Sequence, residues 1–289
     1  MGKTQKTEKR ESNFHAIMRR LFKNKLAVAG LVILAVVIIL AIIAPWIAPY
    51  KYSKLNPVEK LQGPSLKHLF GTDDLGRDVL SRILVGAKYS LGLGLAAVAV
   101  STLGGLFFGS IAGYAGGRID NIIMRCMDIL SSLPSILLAI TIAASLGAGF
   151  FNTVLAMSIG GIPNVTRMVR SSVLNIVGMD YVEASRSIGC GHIRMIIFHV
   201  IPNGLSPLIV MTSMGIGNHI LIAAMLSFIG LGIQPPTPEW GAMLASSRNY
   251  ILDYPYLCLF PGLTIAIVVL AFNLFGDGLR DAMDPKLKN

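Results

Sequence analysis

Charge is the scarcest property of this 289-residue sequence. Asp, Glu, Lys and Arg make up 14% of it, against about 25% in ordinary soluble domains. Hydrophobic residues make up 53%, and the mean hydropathy is +0.65. So little solvating charge excludes a disordered chain and a water-soluble enzyme of this length. Cysteine is nearly absent as well. Cys126, Cys190 and Cys258 are odd in number, far apart and without a CxxC spacing, which argues against a disulfide framework and a structural zinc site. No GxxxxGK[ST] phosphate loop, HExxH helix or paired-carboxylate signature occurs, so neither P-loop ATP binding nor metalloprotease chemistry is encoded. Acidic residues number 15 against 25 Lys and Arg, for a net charge of +10. The cations rim apolar segments without interleaved aromatics, so the excess does not indicate a nucleic-acid partner.

What the chain has instead is long charge-free runs. A helix needs about 20 apolar residues to cross a bilayer, and a charge at its centre costs about 2.5–3.5 kcal/mol. Runs lacking Asp, Glu, Lys and Arg extend over Leu26–Ala48, Tyr89–Gly117, Ile129–Thr166, Met195–Pro238 and Tyr254–Gly276. The third is long enough for two short helices, with Gly147-Ala148-Gly149 as the hairpin between them. The fourth holds an amphipathic entry, one span near Ser206–Gly230 and an exit at Pro235-Pro236. The sequence therefore predicts an all-α polytopic membrane protein with six transmembrane helices. Its apolar first run is too long for a cleavable signal peptide, and Pro49 follows it directly.

An even number of spans puts both termini on one side. Residues 1–25 carry Lys3, Lys6, Lys9, Arg10, Arg19, Arg20, Lys23 and Lys25. The side holding the termini then has seventeen Lys and Arg against eight on the other, seven of them in the single loop 49–88. The positive-inside rule places both termini in the cytoplasm. The expected organisation is a cytoplasmic segment over residues 1–25 and a permease domain over residues 26–289. That domain has an extracytoplasmic loop at about 49–88 and a cytoplasmic loop at about 173–203.

Two features inside the spans stand out. Ala97, Ser101, Gly105, Gly109, Gly113 and Gly117 recur every four residues, placing small side chains along one helix face. Helix backbones approach closely over such a stripe; it is either a static packing face or a hinge face in a moving transporter. Asn218 and His219 form a polar pair at membrane depth, which fits either a pathway lining or interhelical hydrogen bonding.

The most informative stretch is Asp180-Tyr-Val-Glu183-Ala184-Ser185-Arg186-Ser187-Ile188-Gly189, continuing to His199-Val-Ile201-Pro202-Asn203. Asp180 is positioned to cap a short helix, with Glu183 completing a capping-box arrangement. Gly189 suits the left-handed position that ends it. Ile193, Ile196, Ile197 and Val200 then form a helical stripe, and Pro202 marks its exit.

This stretch resembles the cytoplasmic EAA loop of the membrane subunits of binding-protein-dependent ABC importers. That pattern is Glu-Ala-Ala, three residues, Gly, nine residues, Ile, one residue, Leu-Pro. Here it reads Glu183-Ala184-Ser185, Gly189 and Ile201-Pro202, with Ser185 for Ala, His199 for Ile and Ile201 for Leu. The segments Phe70–Asp78, Ser227–Gly232, Glu239-Trp240-Gly241 and Phe275–Asp281 are similar to those of the C-type permease subunit of the dipeptide/oligopeptide/nickel family. The resemblance covers residues from about 20 to 285. It implies the type I ABC importer permease fold, a bacterial or archaeal plasma membrane location and a B-type permease partner. It also implies two cytoplasmic ATPase subunits docked on the loop around Glu183–Gly189, and an extracytoplasmic solute-binding protein. ATP and Mg would belong to the ATPases, leaving no cofactor, metal or catalytic residue on this chain. The implied solute is a dipeptide or oligopeptide, with nickel or another small solute as the alternative. An ion-coupled secondary transporter would need buried carboxylates, for which Asp128 and Asp277 are the nearest candidates.

Overall fold

The computed structural model describes residues 13–283; the expectations for residues 1–12 and 284–289 lie outside them. Among the described residues there are helices and no strands. In chain order the helices are α1 (Asn13–Lys23), α2 (Lys25–Ile47), α3 (Val79–Ala115), α4 (Gly117–Ser131), α5 (Ser135–Leu146), α6 (Phe150–Val177) and α7 (Asp180–Ser187). They continue with α8 (His192–Met195), a π-helical turn over Ile196–Val200, α9 (Ile201–Phe228), α10 (Trp240–Ser247) and α11 (Tyr256–Met283).

Side-chain chemistry sets the helix ends. Asn24 Oδ1 accepts from the amides of Leu26 and Ala27 at 3.1 and 3.2 Å, capping α2. Asp78 Oδ2 accepts from the Ser81 amide at 2.8 Å and caps α3; such a cap satisfies amides that have no partner inside the helix. The α3 helix thus starts ten residues before the charge-free run, carrying Arg82 and Lys88 within it. It ends where Gly116 and Gly117 adopt φ of +63° and +53°.

Four helical stretches are long and apolar enough to cross a membrane: α2, α3, the stretch from His192 to Phe228, and α11. The pair α4 and α5 passes the same test jointly but is bent by 82°. The bend falls at Ser132–Pro134, just before α5 begins. At 1.5 Å per residue α5 alone reaches only about 18 Å, well short of a hydrocarbon core of about 30 Å. The α6 helix, at 28 residues, reaches about 42 Å. Asn152, Asn164, Arg167 and Arg170 make it less apolar than the others. The third charge-free run therefore does split at Gly147 and Gly149, whose φ values are +83° and +147°. Its first half is a bent element rather than a straight crossing.

Among the described residues the helices bury four apolar clusters, the smallest joining Leu21, Ala27 and Ala282 of α1, α2 and α11. Of the others, one gathers Trp240, Val268 and Ile220 among α2, α3, α9, α10 and α11. A second joins Leu93, Met157 and Leu226 among α3, α5, α6 and α9. The third holds Val182, Met195 and Val200 against Val169, Val173 and Ile176 of α6. Outward faces stay apolar, with Ile42, Trp46 and Leu103 all exposed, as expected of surfaces that meet lipid or other membrane chains.

Candidate functional site

The α7 helix stands clear of the bundle at one end. Its single fully buried side chain, Val182, plugs into the α6 cluster, while Tyr181, Glu183, Ala184, Arg186 and Ser187 are exposed. The residue at the N-cap is Met179, which makes no side-chain capping bond. Asp180 is instead the first helical residue, so the expected capping box does not form. Both Asp180 and Glu183 lie in the first turn, where a carboxylate favours the helix through its dipole. Ser185 turns inward on its own helix, donating to the Tyr181 carbonyl at 2.8 Å.

The end of α7 is a complete Schellman motif. The Cys190 amide donates to Ser185 O at 3.1 Å and the Gly189 amide to Arg186 O at 3.0 Å. Gly189 has φ +82°, a conformation that glycine adopts without the penalty a Cβ brings. Pro202 is not an exit. The helix beginning at His192 passes through the π turn and runs on to Phe228, with Pro202 in the first turn of α9. A proline there forfeits an amide that the preceding π turn leaves without its usual α-helical partner. Asn203 Nδ2 donates to His199 O at 2.7 Å, giving that carbonyl a side-chain partner. The loop is therefore a short helix followed by a long one, rather than two short helices and a stop.

Sequence reasoning missed what ties this loop to α3. Tyr114, near the C-terminal end of α3, has its hydroxyl 3.0 Å from His192 Nδ1. The Arg186 guanidinium sits 5.4 Å from the centre of the same ring, within cation–π range. A lone Tyr beside glycines carries no spacing signal for such a contact.

The small-residue stripe packs α3 on α6. A Cβ at Gly105 would lie 2.4 Å from Val165 Cβ, at Gly109 2.7 Å from Thr166 O, and at Gly113 2.8 Å from Val173 Cβ. Ser158 of α6 donates to Ala97 O at 3.1 Å. Gly117 does not belong to this face: it lies beyond α3 as the first residue of α4, with open space where a Cβ would go.

Midway along the bundle α3, α5, α6 and α9 line a cavity of about 160 Å³, mostly apolar but with Asn218 and His219 on its wall. Asn218 is exposed; His219 is buried, with Nδ1 2.8 Å from Gly215 O.

The opposite end from α7 is closed by the 49–78 segment. Glu59 pairs with Lys67 and lies 3.2 Å from His68 Nε2. The Lys67 hydrogen bond, then His68, hold the Glu59 carboxyl below its ordinary range, and Glu59 raises Lys67 in turn. Buried His68 also meets Asp78 at 2.9 Å. Glu239, fully buried, caps α10 through the amides of Gly241 and Ala242 and accepts from Ser90 Oγ at 3.1 Å. Trp240 donates to Ile83 O at 3.1 Å. The Phe70–Asp78 and Glu239–Gly241 motifs thus build the scaffold at this end. Of the two carboxylates considered for ion coupling, Asp128 pairs with Arg167 at 3.1 Å on the surface. Among the described residues no group of three or more potential metal ligands occurs.

Residues 105–289 match the family described as binding-protein-dependent transport system inner membrane component, and residues 12–64 match the N-terminal TM domain of oligopeptide transport permease C. The chain is 48% identical to the di/tripeptide transport system permease protein DppC of Pseudomonas aeruginosa, covering 92% of this chain and 90% of that one. It is 46% identical to the dipeptide transport system permease protein DppC of Alkalihalophilus pseudofirmus, covering 96% and 91%. It is also 44% identical to the glutathione transport system permease protein GsiD of Escherichia coli, covering 95% and 91%. Among solved structures, an inward-facing MetNI methionine ABC transporter aligns over 71% of this chain and 96% of its own, with a TM-score of 0.57 at 18% identity. That likeness shows a shared fold.

Proposed function

The chain belongs to the family of binding-protein-dependent transport inner-membrane components, as a C-type permease subunit of the dipeptide/oligopeptide/nickel branch, and on that premise we propose that it conducts dipeptides or oligopeptides across the membrane. The observation that carries the substrate class is the naming of its relatives for dipeptides, di/tripeptides and glutathione. In this reading the chain forms half of the pathway beside a B-type permease, and an extracytoplasmic binding protein delivers the solute. Two cytoplasmic ATPase subunits bind ATP and Mg, and each permease presents its coupling helix to one of them. Here that helix is α7. Its exposed face with small Ala184 fits close approach, and its contacts through Val182 and Tyr114 with α6 and α3 support the transmission of movement. The chain is a lever and a conduit, with the chemistry performed elsewhere.

Reconstitution tests the substrate. Proteoliposomes holding the full complex and its binding protein should accumulate a radiolabelled dipeptide in an ATP-dependent, vanadate-sensitive manner. Accumulation of Ni²⁺ in place of the dipeptide would overturn the peptide assignment.

The six-crossing topology with cytoplasmic termini is part of the same proposal, α4–α5 serving as one bent crossing. Single cysteines at Gly189 and Leu66, both exposed, in a background lacking the native cysteines, should label from opposite faces with an impermeant thiol reagent. Labelling of both from outside would defeat it.

A further inference from the structure

The cavity between α3, α5, α6 and α9 has a definite hydrogen-bonding character. His219 Nδ1 faces the Gly215 carbonyl at 2.8 Å. A carbonyl can only accept, so Nδ1 carries the proton, and Nε2 of the neutral ring presents a lone pair. That Nε2 is buried and finds no hydrogen-bond partner among the described residues, although the residue is only 8% exposed. Thr102 Oγ1, on the same cavity, is buried and unpartnered too. Leaving polar atoms so placed is costly unless something that enters the site bonds to them.

The space beside Nε2 is kept open by a glycine. A Cβ at Gly161 of α6 would lie 3.1 Å from Ser101 Cβ on α3, 3.3 Å from His219 Nε2 and 3.4 Å from Ser101 Oγ. Ser101 donates its own proton to Val98 O at 3.1 Å, so it also turns lone pairs outward. Ser135, Asn164, Thr212 and Asn218 also line the cavity, and no Asp, Glu, Lys or Arg takes part. His219 Nε2 and Ser101 Oγ turn only lone pairs to this corner of the cavity, so a carboxylate oxygen finds no donor there and no cation among the lining residues. The lack of any carboxylate leaves an ammonium group's desolvation uncompensated. The group that suits the site is neutral and donates a proton: an amide N–H.

We propose that this cavity is a solute subsite within the permease, in which His219 Nε2 accepts a hydrogen bond from the peptide N–H of the passing solute. The side-chain amides of Asn164 and Asn218 supply donors for the adjoining carbonyl. This subsite rests on the peptide reading above and adds that the permease itself reads the backbone of what it carries.

The test uses the reconstituted full complex and a radiolabelled dipeptide, with uptake and ATP hydrolysis measured together. His219→Leu removes the acceptor and keeps bulk. It should lower uptake by about tenfold, the equivalent of one lost hydrogen bond, with binding-protein-stimulated ATP hydrolysis retained. His219→Gln places an amide oxygen near the Nε2 position and should restore most of the uptake. Gly161→Ala intrudes on the same space from α6 without changing the histidine, and should also lower uptake with hydrolysis retained; it decides the matter if His219→Leu fails to assemble. Uptake unchanged in the variants, or equal losses in His219→Leu and His219→Gln, would overturn the subsite while leaving peptide transport standing. A wild-type complex that takes up no dipeptide would instead remove the peptide reading, and the subsite with it.

Discussion

Gly109→Leu is expected to abolish recovery of a monodisperse protein, and Gly109→Ala alone to cost about 1–3 kcal/mol of stability, the usual range for overpacking. The cause is proximity. At Gly109 a single added carbon would sit 2.7 Å from the Thr166 carbonyl oxygen and 2.7 Å from Val169 Cβ. One of these is backbone and the other is the root of a stiff β-branched side chain, so neither can swing aside. The helices must separate, and separation undoes the same contact at Gly105 and Gly113, where added carbons would lie 2.4 and 2.8 Å from Val165 and Val173. In lipid no hydrophobic drive holds two helices together, so the lost packing is not replaced. Gly92→Ala is the matched control: it adds the same carbon to the same helix, yet the nearest atom lies 3.7 Å away on Phe150. Thermal aggregation midpoints of the detergent-solubilised protein measure the difference. Equal midpoints for Gly92→Ala and Gly109→Ala would mean that close approach at the stripe contributes nothing.

The stripe also shows how far a sequence of this kind can be read. Spacing of four along an apolar run needs no tertiary knowledge, because helix geometry alone puts those positions on one face. The same periodicity carried the expectation one step too far, to Gly117, because a repeat cannot announce that its helix has ended; the positive φ values at Gly116 and Gly117 do that. Charge-free runs marked where apolar helices lie but misplaced the start of α3, since Arg82 is buried within it, 3.7 Å from Asp73. A paired charge inside a helix looks, in sequence, like the end of a span. At the loop, Gly189 was legible as a left-handed stop, a local backbone requirement. Whether Pro202 ended one helix or began another was not, because a proline suits both places and the π turn that decides between them has no compositional mark. The cavity was half legible: a polar pair at membrane depth draws notice, but the emptiness beside it comes from Gly161, 57 or more residues away in sequence from Asn218 and His219. Contacts between Tyr114, Arg186 and His192 were illegible for the same reason, being long-range and without a repeating pattern.

Gly189→Val is expected to disconnect ATP hydrolysis from solute uptake while leaving the protein inserted in the membrane. Nothing lies within 4 Å of the position a Cβ would take at Gly189, so no clash with a neighbour contributes. The whole effect comes from the backbone, where φ is +82°. A left-handed conformation costs an ordinary residue about 1–2 kcal/mol, and a β-branched one is a genuine outlier there. That is small beside the stability of a whole bundle, typically about 5–15 kcal/mol, so the fold survives. It is large for an eight-residue helix held by one buried side chain, the Arg186 contact with Tyr114 and the hydrogen bonds of its C-terminal turn. If α7 ends correctly in only a fraction of molecules, its apparent affinity for an ATPase falls by that fraction, and 1–2 kcal/mol corresponds to about a five- to thirtyfold loss. Gly189→Asn should stay near wild type, since Asn tolerates the left-handed region. Glu183→Lys should fall between them: exchanging a carboxylate for a cation in the first turn reverses a dipole term of only about 0.3–1 kcal/mol. Proteoliposomes containing the complete complex, assayed for uptake and phosphate release side by side, distinguish the three variants. Wild-type uptake per ATP hydrolysed in Gly189→Val would show that α7 does not couple the ATPases to the pathway. A loss equally severe in Gly189→Asn would show that glycine is needed there for contact with a partner rather than for its backbone conformation.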